Sequence, residues 1–549
     1  MLPARRLRAR PNVGPVNNAQ VNQNDRLLVN LPREILYMIA SHMDNDSIDR
    51  LTQTSRRLQQ YIGPRCWERV EVSCTNEAEK DDMIWQLENC LAGTQKATLA
   101  ANDAYRPHTV SNSNVIPHCA RHVREYIING DDEEALYRDD LCRSWVEVTL
   151  NNFTNLRVLE TCCLDQLIAG RIAALPRLHA LALINCYSLD ATPVEMNQIT
   201  GLVHLCVYNV ERARFGQDNG QTLSMLRGSA TTLRSMELFH FHHECSESPI
   251  VAMGNIDFRL TALEFLIMCR FCDREAQAML RVVDFPSLTE LHIYQPPDDL
   301  IPFFRALQNL FIFADEPKLQ AVELDLNRTN TRQMYNAQRR WLTSFNTLES
   351  LRLDRWNPQD GDASLIPGAI SGHRGMRKLI FSHRDRERDG VFSIPILSPE
   401  SVTHLAWRLP ELRWFEFAPD QEDLFETGRA LSRLSKLEFL RCRLKKSESS
   451  DFVFGMFTQI LRGFLRELGP GETWEERYSL RLVQAEDEET QYDVASRLPE
   501  PWGKKRIITD ATTRKSVRIR RAAEIDPAFV EDSDPVWVDK VSRDLRVFR

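Results

Sequence analysis

Apolar residues recur through the middle of the chain at positions 1, 4 and 6 of a short pattern, often with a further one at position 9. The copies are Leu178/Leu181/Leu183/Cys186, Leu233/Met236/Leu238/Phe241, Leu263/Leu266/Met268/Phe271, Leu288/Leu291/Ile293, Leu319/Val322/Leu324/Asn327 and Leu348/Leu351/Leu353/Trp356. Fainter ones begin at Val123, Leu156, Leu202, Met376, Leu412 and Leu437. Positions 4 and 6 are two apart, so on a strand they share a face, and the residue between them points the other way. One such strand cannot bury its own apolar side. Successive copies laid side by side make a continuous parallel sheet over a shared core. The stretches between carry helical spacing, as in Glu275-Ala-Gln-Ala-Met-Leu-Arg-Val-Val283. The expected class is α/β, with a curved parallel sheet and stacked copies over 71–450.

The N-terminal pattern has a different period. Pro32 suits a first helical turn, where its missing N–H has no partner to lose. Ile35, Met38, Ile39 and Met43 then fall at helical spacing. Asp46 or Ser47 can cap a second helix, and Leu51, Ser55, Leu58 and Ile62 trace a further face that halts at Gly63-Pro64, shortly before Trp67. So short a stretch buries little core by itself, and apolar residues on more than one face point to docking on a partner. Near the other end, Val453, Met456, Phe457, Ile460, Phe464 and Leu468 make an amphipathic helix over 451–468, stopped by Gly469-Pro470. Terminal repeats need such cover, so 451–470 is expected to cap the array.

Two resemblances follow from these residues. The copies over 150–445 resemble leucine-rich repeats of an irregular, long kind; Asn rarely fills the ninth position, and lengths overlap and exceed the roughly 20–29 residues of that family. Residues 27–70 resemble an F-box, whose pattern Leu-Pro-x-Glu-hydrophobic-Leu is met by Leu31-Pro32-x-Glu34-Ile35-Leu36. Ile39, Met43, Ile48, Leu51, Ser55-Arg56-Arg57-Leu58 and Trp67 continue the match. Cys66 departs from the usual Leu before the Trp, and Met43 stands where Leu is common.

The resemblance implies a substrate-recognition subunit of a Skp–cullin–F-box ubiquitin ligase. The three-helix F-box would dock on a Skp-type adaptor, and through it on cullin, by Leu31, Pro32, Ile35, Leu36, Ile39, Leu51 and Trp67. The repeats would hold an unknown protein substrate, and the chain itself would not be an enzyme and would need no cofactor. The alternative is a leucine-rich-repeat interaction scaffold without a ubiquitin role, its first helices capping the array.

Residues between the core positions of each strand should line the sheet's open face: Glu160, Glu237, His292, Glu323, Arg352, Glu416 and Arg441. Just beyond them come His240, Arg270, Tyr294, Asp325, Asp354, Arg355 and Arg443. Arg and Tyr are favoured at interface hot spots. Substrate contact is therefore expected at Glu237, His240, Arg270, His292, Tyr294, Glu323, Arg352 and Arg355.

Composition narrows the rest. The chain has 549 residues, 43% of them hydrophobic, with 69 Lys+Arg against 77 Asp+Glu and a net charge of −8. This mild acidic excess disfavours nucleic acid as the partner of the whole chain. No apolar run reaches the ~20 residues needed to cross a bilayer. Residues 1–26 read as a disordered basic tail without a secretory signal, and the 13 scattered cysteines read as reduced thiols. His240-x-His242-His243-x-Cys245 and Cys269-x-x-Cys272 supply zinc-type ligands, but a buried free Cys is commonplace and no metal is expected. No nucleophile elbow, phosphate-cradling loop or zinc-protease motif occurs. Residues 471–549 carry charge runs and read as a largely mobile tail. Lys504-Lys505-Arg506 and Arg518-x-Arg520-Arg521 resemble a bipartite import signal, so the expected location is cytoplasmic and/or nuclear.

Overall fold

The computed structural model describes residues 31–41, 43, 45–73, 120–129, 146, 149–164, 166–188, 198–208, 221–239, 258–269, 271, 273–294, 300–325, 332–354, 365–382, 396–443, 450–480, 482–485, 491–494, 506–509 and 516–521. The chain divides between Leu233 and Arg234 into two compact units. Among the described residues, no helix is long and apolar enough to cross a membrane.

The first unit opens with α1 (Arg33–Ser41), α2 (Asn45–Thr54) and α3 (Arg56–Tyr61), then a 3-10 turn over Gly63–Trp67. The Pro32 carbonyl accepts the Leu36 N–H at 3.1 Å, which starts α1 directly after the proline. Leu36, Ala40, Ile48, Leu58 and Ile62 form a small core, with Leu31, Met43, Leu51 and Tyr61 packed against it. Arg65 Nη1 donates to the Tyr37 carbonyl at 3.0 Å and ties the turn back to α1. The chain continues into β1 (Arg69–Ser73), β2 (Glu125–Asn129), β3 (Val158–Leu164), α4 (Gln166–Ala173), β4 (Ala180–Ser188), β5 (His204–Tyr208) and α5 (Gln221–Gly228). These five strands pair in chain order, all parallel.

The second unit repeats one strand–helix layer many times. Its elements begin β6 (Ser235–Phe239), β7 (Phe265–Cys269), α6 (Asp273–Val282), β8 (Glu290–Tyr294), α7 (Ile301–Ile312), β9 (Ala321–Asp325), α8 (Arg332–Leu342), β10 (Ser350–Asp354), α9 (Leu365–Ile370) and β11 (Lys378–Ser382). They continue as β12 (Ile396–Leu397), α10 (Pro399–Arg408), β13 (Trp414–Pro419), α11 (Leu424–Leu431), β14 (Phe439–Cys442), α12 (Ser450–Arg466), α13 (Trp474–Arg477) and β15 (Leu482–Ala485). Strands β6 to β11 and β13 to β15 pair parallel in chain order, while the two-residue β12 adds only to the end of β13. The mixed α/β class and the parallel sheet are thus as the spacing predicts.

Register explains why the spacing works. Leu266, Leu291, Val322, Leu351, Leu379, Phe415, Leu440 and Val483 stand opposite one another across successive strands, and all are buried. The helices seal this layer with rings: Phe304 lies 5.5 Å from Trp341, and Phe311 lies 4.5 Å from Phe345. His373 is buried in the same layer; its Nε2 lies 2.9 Å from the Leu342 carbonyl and its Nδ1 accepts the Leu348 N–H at 3.3 Å. Nε2 therefore carries the proton. Where α11 crosses α12 the backbones touch: a Cβ on Gly428 would meet the Ile460 carbonyl oxygen at 2.0 Å, and one on Gly463 would meet that of Phe425 at 2.3 Å.

Within 471–549, expected as a largely mobile charged tail, α13 and β15 belong to this unit. They are followed by β16 (Gln491–Val494), β17 (Arg506–Thr509) and β18 (Ser516–Arg521) in antiparallel pairings. Trp474, Tyr478, Leu480 and Val483 are buried there, and the Tyr478 hydroxyl donates to the Phe464 carbonyl at 3.0 Å. The charge runs Glu486–Glu489 and Lys504–Arg506 overshadow these few apolar residues when the sequence is read alone.

Candidate binding surface

The residue between the two core positions of each strand faces away from the helices. In the second unit, register lines these residues into one row: Glu237, Ile267, His292, Glu323, Arg352, Ile380, Glu416 and Arg441. Neighbouring strands lie ~4.8 Å apart, so side chains in the row reach one another.

At its centre the row is a connected polar network. His292 Nε2 lies 2.6 Å from Glu290 Oε1, and its Nδ1 lies 2.8 Å from the Tyr294 hydroxyl and 3.4 Å from Glu323 Oε2. A neutral His292 satisfies the two shortest contacts by donating from Nε2 to Glu290 and accepting from Tyr294 at Nδ1. Glu323 Oε1 lies 3.4 Å from Arg352 Nε, which also donates to Asp354 Oδ1 at 3.1 Å. Burial alone would lower the basicity of the Arg352 guanidinium. The carboxylates of Glu323 and Asp354, with Glu416 beyond, nevertheless hold its pKa above the ordinary arginine value. Two strands on, buried Glu416 accepts from Arg443 Nε at 2.8 Å, and its other oxygen lies 3.5 Å from Arg441 Nη1. Charges of both signs alternate here, fixed in place by one another rather than by solvent.

The structure brings His292, Tyr294, Glu323 and Arg352 of the expected substrate set together. Glu237 stands in the same row but is buried, and Ile267 separates its strand from that of His292. Tyr294 is also buried, so it supports His292 more than it offers itself. His240, Arg270 and Arg355 lie outside the described residues. Glu290 was missed at the sequence level, although it sits two residues before His292 and therefore on the same strand face.

Of the expected adaptor contacts, Pro32 is exposed, and Leu31, Ile35, Ile39 and Leu51 are half-buried. Leu36 is different. It is 0% exposed at the centre of the helical core, so the folded module does not offer its side chain to a partner. The reason is that α1 is apolar on two faces: Leu36 and Ala40 turn inward, and Met38 stays 54% exposed. Trp67 belongs to the 3-10 turn, and its side chain lies outside the described residues.

Among the described residues, no group of three or more His, Cys, Asp or Glu side chains could hold a metal ion. Cys269 is half-buried, while His240, His242, His243, Cys245 and Cys272 lie outside the described residues. No protein-family model matches the chain, and no curated protein matches it.

Proposed function

We propose that the chain is a substrate-recognition subunit of a Skp–cullin–F-box ubiquitin ligase, with residues 27–70 as its F-box and the strand–helix layers as a leucine-rich-repeat substrate holder. The observation that carries this reading is the two-faced helical module. It closes a core of its own around Leu36, yet leaves Pro32 and Met38 exposed and Leu31, Ile35 and Ile39 half-buried. Such an apolar face ahead of a sheet with a fixed polar row suits a linker between two proteins. On this reading the chain performs no chemistry. It raises the effective concentration of a substrate lysine near a charged ubiquitin carrier.

Co-purification of the full chain with a Skp-type adaptor tests it. Leu31→Ala with Pro32→Ala should weaken adaptor binding by about 2 kcal/mol or more, roughly thirtyfold, the scale of central apolar anchors. Adaptor binding that is absent, or unaltered by the double substitution, refutes the reading.

One observation favours the scaffold alternative. The module runs straight into β1, and the Glu68 carbonyl accepts N–H groups from both Arg124 and Glu125 at the start of β2. Helices joined so directly to the first strands also suit a cap on the sheet. Failure to bind the adaptor, with the fold intact, selects that reading.

A further inference from the structure

Away from the polar row, the helical layer of the second unit carries an open groove of about 510 Å³. It lies between the C-terminal end of α7 and the 3-10 turn Phe285–Ser287, and continues along the segment leading into β9. Helix α7 buries Phe303, Phe304, Leu307 and Phe311 on its inner side. Its last turn then breaks the pattern: Leu310, Ile312 and Phe313 are 38%, 53% and 84% exposed. Single exposed apolar residues are ordinary, but three within four positions beside a groove mark a docking surface.

The groove is held open by bonds of its own. The Lys318 N–H donates to the Pro286 carbonyl at 2.7 Å, which ties the segment after α7 to the 3-10 turn. Ser287 Oγ donates to Asp284 Oδ2 at 2.6 Å. Its apolar lining is Pro286, Leu310 and Phe313, and it is also lined by the carboxylates of Asp284, Asp315 and Glu316. The C-terminal carbonyls of α7 add partial negative charge at the same end. Lys318, exposed just past Glu316 in the chain, offsets only part of it.

We propose that this groove docks a segment of a partner protein in which a bulky apolar side chain neighbours a Lys or Arg. The apolar residue would cover Leu310, Phe313 and Pro286, and the cation would meet Asp315, Glu316 or Asp284. Three carboxylates beside an apolar lining select that chemistry over an acidic or purely apolar segment. The proposal is independent of adaptor docking, since none of its residues belongs to the helical module or the polar row.

A random 12-residue peptide library displayed on phage, panned against the full chain, tests it. Phe313→Ser and the double variant Asp315→Lys/Glu316→Lys serve as counter-selections; all three residues are exposed, and a thermal melt checks that each variant folds. The expected result is a peptide family pairing Leu, Phe or Trp with Lys or Arg. A synthetic member of it should bind either variant at least tenfold more weakly, and bind the native chain more weakly as salt rises. No enriched family, a family with acidic or uncharged members, or equal affinity for the variants overturns the proposal. So does a concentration-dependent dimer that Phe313→Ser dissolves, because a second copy would then be the occupant.

Discussion

In the helical module, five side chains, Leu36 among them, make up the buried core, and every further apolar residue of α1 is partly or wholly in water. In the second unit, each strand adds its own pair of buried residues to a layer already sealed by the strand before it, and rings such as Phe304, Phe311 and Trp341 are fully or almost fully enclosed. A small core leaves little stability to lose and keeps apolar surface available for a partner. A stacked core instead spreads burial over many layers, which frees its sheet's open face to carry ionised groups. The contrast separates residues that hold the molecule together from residues that meet other molecules, and it predicts different responses to substitution.

The largest effect is expected in the stacked core. Trp341 is 0% exposed and packs against Phe304, Phe311 and Phe345. Trp341→Ala should cost about 3–5 kcal/mol, the range for emptying a large ring site. Urea titration gives the magnitude, and hydrogen exchange should place the loss in α7, α8, β9 and β10. A cost under about 1 kcal/mol would mean that the layer collapses to refill the site.

Leu36→Ala should cost about 2–5 kcal/mol, comparable in energy but not in consequence. A core of five residues cannot redistribute that loss, so α1–α3 should lose exchange protection together while β8–β10 keep theirs. Protection lost uniformly over both regions would erase the distinction between them.

His373 tests the stacked layer by pH. Burial lowers its pKa from 6.5 to about 4, opposed by its hydrogen bond to the Leu342 carbonyl. The native state thus holds a neutral ring that the unfolded chain protonates more readily. Its stabilising contribution is complete above pH 6.5 and is lost as pH falls towards 4, a change of roughly 3 kcal/mol. His373→Gln should flatten the fall in urea midpoint between pH 7 and pH 4.5 relative to the native chain. Equal slopes would remove His373 as the titrating group.

Gly428→Ala should destabilise by about 1–3 kcal/mol through overpacking. Its Cβ would fall on the Ile460 backbone, where no flexible side chain can yield. Thermal melting reads the shift, and Gly463→Ala should behave alike for the same reason, against the backbone at Phe425 and Gly428.

Much of this architecture was legible because a strand's period of two leaves a mark that few other structures leave. Leu291 and Ile293, Val322 and Leu324, and Leu351 and Leu353 are core pairs in β8, β9 and β10, as their spacing requires. The polar row was legible for the same reason, since the residue between two core positions has only one direction to face. Contacts set by neither period were not legible. Glu290 shares the face of His292 by the period of two, but spacing does not say that the two side chains bond. The groove beside α7 depends on where a helix ends and how the following segment folds back on Pro286. Leu36 turned inward because α1 is apolar on two faces, and periodicity does not say which of them a small core will take.

The smallest expected effect sharpens the comparison most. Met38 is 54% exposed on α1, about half a turn away from the buried Leu36 and Ala40. Met38→Ser removes apolar surface that the folded chain leaves in water, so its stability should change by no more than about 0.5 kcal/mol. If that face docks on an adaptor, the same substitution should weaken binding while the melting curve stays in place. A fall in both stability and binding would instead place Met38 with Leu36, as part of what keeps the helices folded, and the outward face of α1 would lose its claim to be a docking surface.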